Sequence, residues 1–255
     1  MSSDTLLSDL DARARAVLAA PSVAVAEVTV PPWVRRHGRD GIARLIDHTL
    51  LKPEATRQDI IRLADEGRRL GVAAVCVNGV WAGLVSERLA GSEVLACVVV
   101  GFPLGAMSPR AKATEAAAAV ADGAAEIDMV IQLGPALAGE WSLVLDDVRA
   151  VVHAAGGRKV KAILETAALE PATIVKGALV AVDGGASFVK TSTGFHVAGG
   201  ATPEAAELLR RTVGPGPGVK ASGSVRSAAA AWRMLRAGAD RIGTSSTAAI
   251  ISESR

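Results

Sequence analysis

From Gly41 onward, short runs of Val, Ile, Leu and Ala alternate with longer stretches of helical periodicity, the βαβα pattern of a parallel sheet. Eight strands are expected, at Ile42–Asp47, Ala73–Asn78, Val94–Gly101, Ala125–Ile131, Val160–Glu165, Ser187–Thr191, Gly218–Ala221 and Asp240–Gly243. Several are apolar at both parities, so both faces should be covered. The segments between them carry helix signals. Thr56 opens a helix, apolar at Ile60, Leu63, Ala64 and Leu70, that Gly71 closes. Ser108-Pro109 supplies a cap and a first-turn proline before an alanine-rich run that Gly123 ends, and Thr202-Pro203-Glu204 opens a helix that Gly214 closes.

Eight such units predict an α/β fold, a (β/α)8 or TIM barrel, and the 255 residues, half of them apolar, are about the length that one barrel requires. An open doubly wound sheet shares the alternation but normally needs fewer units. Residues 1–40 fall outside the repeat: Leu6 to Leu18 predicts a helix and Pro31-Pro32 a linker or turn. The expected organisation is an N-terminal helical extension, 1–40, followed by a catalytic barrel, 41–255.

Charge and composition narrow the function by exclusion. The 28 basic and 26 acidic residues are nearly balanced and form no basic stripe, which argues against a nucleic-acid partner. The longest apolar stretch, from Val94, is broken by Gly and Pro and is too short for a membrane span. Asp4, Asp9 and Asp11 are wrong for the basic head of a secretory signal, so a cytoplasmic protein is expected, with Cys76 and Cys97 as reduced, buried thiols. The four histidines show no metal-ligand spacing and no cofactor loop is evident; Gly214 to Gly218 precedes a strand and lacks dinucleotide spacing. Neither metal nor cofactor is therefore expected.

In a parallel barrel, reacting groups stand at the carboxyl ends of strands. Those ends here carry Asp47-His48-Thr49, Cys76-Val77-Asn78, Glu126-Ile127-Asp128, Glu165-Thr166, Lys190-Thr191-Ser192-Thr193 and Lys220-Ala221-Ser222. Lysine is scarce, seven against 21 arginines, yet Lys190 and Lys220 close strands six and seven, where an idle charge would be costly to bury. A nucleophilic lysine needs its ordinary pKa, near 10.4, lowered by roughly three units, and a cation on the adjacent strand is one means of doing so. Gly223-Ser224-Val225-Arg226 and Gly243-Thr244-Ser245-Ser246 follow strands seven and eight, where barrels commonly hold phosphate on backbone N–H groups. Other residues have plainer expectations. His48 should hydrogen-bond within the first βα loop, Lys161 and Glu165 share strand parity and should form a supporting ion pair, and Trp33, Trp81, Trp141 and Trp232 read as core or interface anchors.

The segments IDHTLLKP (46–53), EIDMVI (126–131), FVKTSTGF (188–195), VKASGSVR (219–226) and RIGTSS (241–246) resemble deoxyribose-phosphate aldolase, in order and in register with the strands, from about Leu45 to Ser246. The resemblance implies a class I aldolase that splits 2-deoxy-D-ribose 5-phosphate into acetaldehyde and D-glyceraldehyde 3-phosphate. Lys190 would form the Schiff base, Lys220 would lower its pKa and transfer protons, and Asp128 would relay protons with a water. By the same resemblance Asp47, Thr49, Cys76 and Thr191 line the substrate end, while Gly194, Gly223, Ser224, Val225, Arg226, Gly243, Ser245 and Ser246 surround the phosphate. A sugar phosphate is thus the expected partner, and the resemblance together with the N-terminal arm points to a homodimer. Two residues depart from the family pattern, Gln132 in place of Asn and Ser224 in place of the second Gly of GGVR, and the chain has no tyrosine, which some members use near the site. The competing readings are a lysine-dependent barrel aldolase for another sugar phosphate, and a silent sugar-phosphate binder, which should have lost Lys190, Lys220 or Asp128.

Overall fold

The computed structural model of the protein describes residues 7–20 and 41–254. Eight parallel strands, β1 (Ile46–Leu50), β2 (Ala74–Val77), β3 (Leu95–Val100), β4 (Glu126–Val130), β5 (Lys159–Ile163), β6 (Phe188–Lys190), β7 (Gly218–Ser222) and β8 (Arg241–Thr244), close in sequence order into a barrel. The helices around it are α2 (Arg57–Leu70), α3 (Ala82–Leu89), α4 (Pro109–Ala121), α5 (Leu133–Ala138), α6 (Trp141–Ala154), α7 (Pro171–Asp183), α8 (Pro203–Val213), α9 (Ala228–Arg236) and α10 (Thr247–Glu253).

The expected caps form. The Thr56 hydroxyl accepts from the Asp59 N–H while the Asp59 carboxylate accepts from the Thr56 N–H, a reciprocal capping box, and α2 ends on Gly71 in the left-handed region. Ser108 and Thr202 cap α4 and α8 through N–H groups three residues on. The first strand begins later than expected. Residues 41–43 make a helical turn, the Leu45 N–H bonds the Ile42 carbonyl at 3.0 Å, and the extended chain starts only at Ile46. Ile42, Ala43 and Leu45 are buried all the same, and a short apolar run does not distinguish a closing turn from a strand.

An N-terminal helix, α1 (Leu10–Ala19), occupies part of the expected 6–18 segment and lies against α7 and α8 outside the barrel. Leu10 and Ala14 are its buried contacts, and Arg13 meets Asp183 at 2.7 Å. Arg211 donates to the carbonyls of Val17 and Ala20, which would otherwise be unsatisfied at the helix end. Pro31-Pro32 and Trp33 lie outside the described residues; Trp81, Trp141 and Trp232 pack partly buried on the core. No helix among the described residues is long and apolar enough to cross a membrane.

Strand alternation divides the chain's charge. Odd-numbered residues of β1, β3, β5 and β8 and even-numbered residues of β2, β4, β6 and β7 share the lumen, and the register couples Thr49, Cys76, Cys97 and Glu126 from strand to strand. The lumen is apolar along β2 and β3, where Ala74, Cys76, Cys97 and Val99 cluster, and charged along β4 to β8 and β1.

Outside the lumen, Lys112 on α4 is fully buried, its Nζ donating to the Asp147 carboxylate on α6 at 2.6 Å and to the Val130 carbonyl at the end of β4 at 2.8 Å. Burial pushes the ammonium down and the carboxyl up, so their attraction does not fully offset desolvation. Lys112→Met alone, which strands a buried carboxylate, is expected to lower unfolding stability by about 3–5 kcal/mol, and Lys112→Met with Asp147→Leu to recover most of it; urea denaturation of both variants measures the difference.

Candidate active site

Lys190 is the last residue of β6 and stands directly beside Lys220 of β7 in the strand register. Their ammonium groups converge on one oxygen: each Nζ lies 2.7 Å from Oδ2 of Asp128. The Asp128 side chain is fully buried, and its other oxygen accepts from Lys161 Nζ at 2.8 Å and from the Cys97 thiol at 3.2 Å. Lys220 also donates to Asp47, whose second oxygen accepts from Arg241 at 2.6 Å. Arg241 reaches Glu126 at 3.3 Å, and Glu126 returns to Lys161 at 2.7 Å, closing a ring of charges around the lumen.

The ring determines protonation. Burial alone would raise the Asp128 carboxyl, but the charges of Lys161, Lys190 and Lys220 outweigh it and hold that carboxyl well below its ordinary range. Asp47 is lowered in the same way, against burial, by Lys220, Arg241 and Lys161. Burial would lower Lys220, yet Asp128 and Asp47 hold its ammonium above its usual value. Lys220 is therefore a fixed positive charge beside Lys190.

Above the ring, a cavity of about 300 Å³ opens at the carboxyl ends of the strands. Of the residues expected to serve substrate, Lys190 and Thr49 line it, as do Gly194, Gly223, Ser224, Val225 and Arg226, Gly243 and Ser245. The two phosphate candidates after β7 and β8 therefore line one cavity. Gly194, Gly200 and Gly223 pack backbone to backbone: a Cβ on Gly200 would come within 2.6 Å of the Gly223 carbonyl carbon. Ser224 takes a left-handed φ of 65°, which its Cβ makes unfavourable.

Other expected site residues sit elsewhere. Asp47, Asp128 and Lys220 lie beneath the cavity in the ring, and Cys76 is fully buried beside Cys97, both thiols being free. The Thr191 hydroxyl accepts the Ser222 N–H at 3.1 Å, stitching β6 to β7 rather than facing substrate. The Ser246 N–H is engaged by the Thr244 hydroxyl at 2.9 Å. His48 does not bond within its own loop. Its even position on β1 turns it outward, where Nδ1 meets Thr247 Oγ1 at 2.8 Å and Nε2 lies 3.2 Å from Glu66, and burial lowers its pKa.

The expected Lys161–Glu165 pair is replaced by two separate functions. Lys161 does point inward, but to Asp128 and Glu126; β5 ends at Ile163, and Glu165 turns into the left-handed region at φ 58°. Its carboxylate instead accepts the N–H and hydroxyl of Thr193, at 3.2 and 2.5 Å, fixing the loop that carries Gly194. Strand parity could reveal Lys161 but not the turn that breaks the alternation. Lys52, Thr193, Phe195 and Ser222 also line the cavity, and the ring of Phe195 stands edge-on to Phe102 at 5.2 Å. All four fall within the segments IDHTLLKP, FVKTSTGF and VKASGSVR, but nothing in the sequence separated them from their neighbours as cavity residues.

Cys76, Cys97 and Asp128 bring ligand-type atoms within 4.8 Å of one another, as do Asp47, Cys97 and Glu126. No sequence spacing announces these groupings. Their carboxylates already carry Lys161, Lys190, Lys220 and Arg241, so the donor set is that of an ion-pair network rather than of a metal centre.

The depressed carboxyls give a pH dependence whose sign follows from linkage. Asp47 and Asp128 bind protons less readily folded than unfolded, so their stabilisation is complete above the ordinary range near pH 4 and is lost as pH falls through it towards the lower folded values. Urea midpoints should be flat near neutrality and fall below about pH 4. Asp128→Asn should begin less stable at neutral pH and lose less on acidification.

Comparison with known proteins accords with this geometry. Residues 42–250 match the model of the DeoC/LacD family aldolase. A deoxyribose-phosphate aldolase of Geobacillus sp. (strain WCH70) is 50% identical over 213 residues, covering 83% of this chain and 95% of that protein. Among solved structures, a candidate deoxyribose-phosphate aldolase from Coccidioides immitis superposes with a TM-score of 0.88 at 33% identity, over 97% of each chain. The tetrameric deoxyribose phosphate aldolase from Aeropyrum pernix gives 0.81 at 32% identity, over 91% of this chain and 97% of its own. A closed parallel barrel, a lysine at the mouth of a buried charge ring and a family match over residues 42–250 with 50% identity to an aldolase over 213 residues lead to one conclusion: the chain belongs to the DeoC/LacD family of aldolases.

Proposed function

We propose that the protein cleaves 2-deoxy-D-ribose 5-phosphate reversibly into D-glyceraldehyde 3-phosphate and acetaldehyde through a Schiff base on Lys190. The observation that carries this reading is the position of the Lys190 amine, the one member of the charge ring's lysines that lines the cavity, which the two glycine- and serine-containing loops also line. A sugar phosphate anchored by those loops extends its aldehyde end towards the amine. Gly194, Gly223, Ser224, Val225, Arg226, Gly243 and Ser245 are the proposed phosphate wall, with Ser246 and the exposed Lys52 at its margin.

The neutral Lys190 amine adds to C1 and loss of water gives an iminium, an electron sink in conjugation with the C2–C3 bond. Removal of the C3 hydroxyl proton breaks that bond and releases glyceraldehyde 3-phosphate; the enamine left on Lys190 takes a proton at C2, and hydrolysis frees acetaldehyde. Asp128, touching both ammonium groups, is the natural relay between Lys190, Lys220 and a water. Lys220, held charged, is suited to donate. Asp47 keeps Lys220 in place, and Thr49 lines the space next to the reacting carbons, with Cys76 buried beneath it.

The division into an accessory arm, 1–40, and a catalytic barrel, 41–255, belongs to the same proposal, supported by α1 lying on the outer face of the barrel. Self-association as a homodimer is proposed with it, on the precedent that the Aeropyrum pernix protein is an oligomer.

Borohydride added with 2-deoxyribose 5-phosphate should leave a reduced adduct on Lys190, located by peptide mass. Lys190→Ala should lose the adduct and roughly three or more orders of magnitude in kcat/KM; acetaldehyde released by that variant at the normal rate would overturn the assignment. Ser224→Gly removes a left-handed strain of about 1 kcal/mol and a Cβ at the anion wall, so thermal stability should rise and KM for the phosphorylated substrate should fall with kcat unchanged.

A further inference from the structure

The charge ring is unequal. Three carboxylates, Asp47, Glu126 and Asp128, face four cations, Lys161, Lys190, Lys220 and Arg241, and Arg241 cannot give up its charge under ordinary conditions. Lys161 lies against all three carboxylates and Lys220 against two, whereas Lys190 meets a single oxygen that it shares with Lys220. The surplus positive charge therefore falls on the cation with the fewest partners, which is also the one open to the cavity. No further charge faces the lumen from β2 or β3, which present the thiols of Cys76 and Cys97.

We propose that Arg241 and Glu126, neither of which lines the cavity, are positioning residues that set the readiness of Lys190 to react by fixing the ring's excess of one positive charge. Arg241 holds Asp47 at 2.6 Å and reaches Glu126 at 3.3 Å, and it is pinned from below by Phe188, whose ring centre lies 5.8 Å from the guanidinium carbon. Gly243, one strand position above Arg241 on the lumen side, leaves the room that Lys220 needs, since a Cβ there would lie 3.0 Å from the lysine Cε. With four cations against three carboxylates, release of one proton from Lys190 brings the ring to neutrality. Without Arg241 the ring is neutral only while Lys190 keeps its proton. Without the charge of Glu126 the excess becomes two, and release is favoured more strongly.

This inference rests on Lys190 being the Schiff-base lysine. Its test is the rate of borohydride-trapped adduct formation on Lys190 with acetaldehyde, together with kcat/KM, from about pH 5 to about pH 10. A unit charge two contacts away, at an effective dielectric of about 20, displaces a titration by about one pH unit. Arg241→Gln should move the acid limb of both profiles up by about that much and Glu126→Gln should move it down. Arg241→Lys should leave it near the wild-type position, and Glu126→Gln combined with Arg241→Gln should return it there. If Arg241→Gln does not fold, Glu126→Gln and Arg241→Lys carry the test alone, because only a charge effect moves one limb and spares the other. An unmoved limb in folded Glu126→Gln, with the adduct still on Lys190, would overturn the ring proposal and leave the Schiff base standing. No adduct in the wild-type protein would overturn the functional reading itself.

Discussion

The constraint on which the structure depends is the burial of seven charged side chains inside one barrel. Four cations and three carboxylates stand in the lumen, all buried except the partly buried Arg241, and each is tolerable only because a partner of opposite sign lies within hydrogen-bond reach. A barrel is suited to such an arrangement. Closure sets the last strand beside the first, with inward side chains staggered from strand to strand, so residues nearly two hundred positions apart, such as Asp47 and Arg241, meet at 2.6 Å. The network has one open edge. A lysine placed at its open edge is stabilised by one shared oxygen and has the cavity above it.

The apolar half of the lumen matters as much as the charged half. Ala74, Cys76, Cys97 and Val99 exclude water on the β2 and β3 side, so the Asp128 carboxylate is served by ammonium groups and a thiol, all of them donors in fixed positions. Fixed donors cost little reorganisation when charge moves during a reaction, which is the electrostatic advantage of a prebuilt site. Above the ring the backbone takes over. Glycines 194, 200 and 223 bring loops into contact that no side chain could enter, and Glu165, by gripping Thr193, ties the end of β5 to the loop that leaves β6. The loop that carries Gly194 is thus anchored from two strands at once.

Much of this was legible along the chain because it depends on local rules. The capping residues Thr56, Ser108 and Thr202, the glycines that stop helices and the alternation of apolar runs all act within a few residues, and the three caps are found in the expected place. Lys190 and Lys220 were legible for a different reason: lysine is rare here, and a charge at the end of an apolar strand needs an explanation. The start of β1 was misplaced because Ile42 and Leu45 are apolar whether they extend a strand or plug a barrel end.

By itself, then, the sequence determined the barrel, the order of its units, the lysines that end strands six and seven and the two loops after strands seven and eight, since hydrophobic period, caps and motif spacing are properties of neighbouring residues. Only the tertiary structure decided partners. That Lys161 serves Asp128 rather than Glu165, that Thr191 stitches strands, that His48 faces α2 and α10, and that Arg241 completes a ring with Asp47 and Glu126 all follow from closure of the sheet and from one left-handed residue after β5. Parity along a strand says which side a residue faces, whereas the charge it meets there is set by the register of strands far away in sequence.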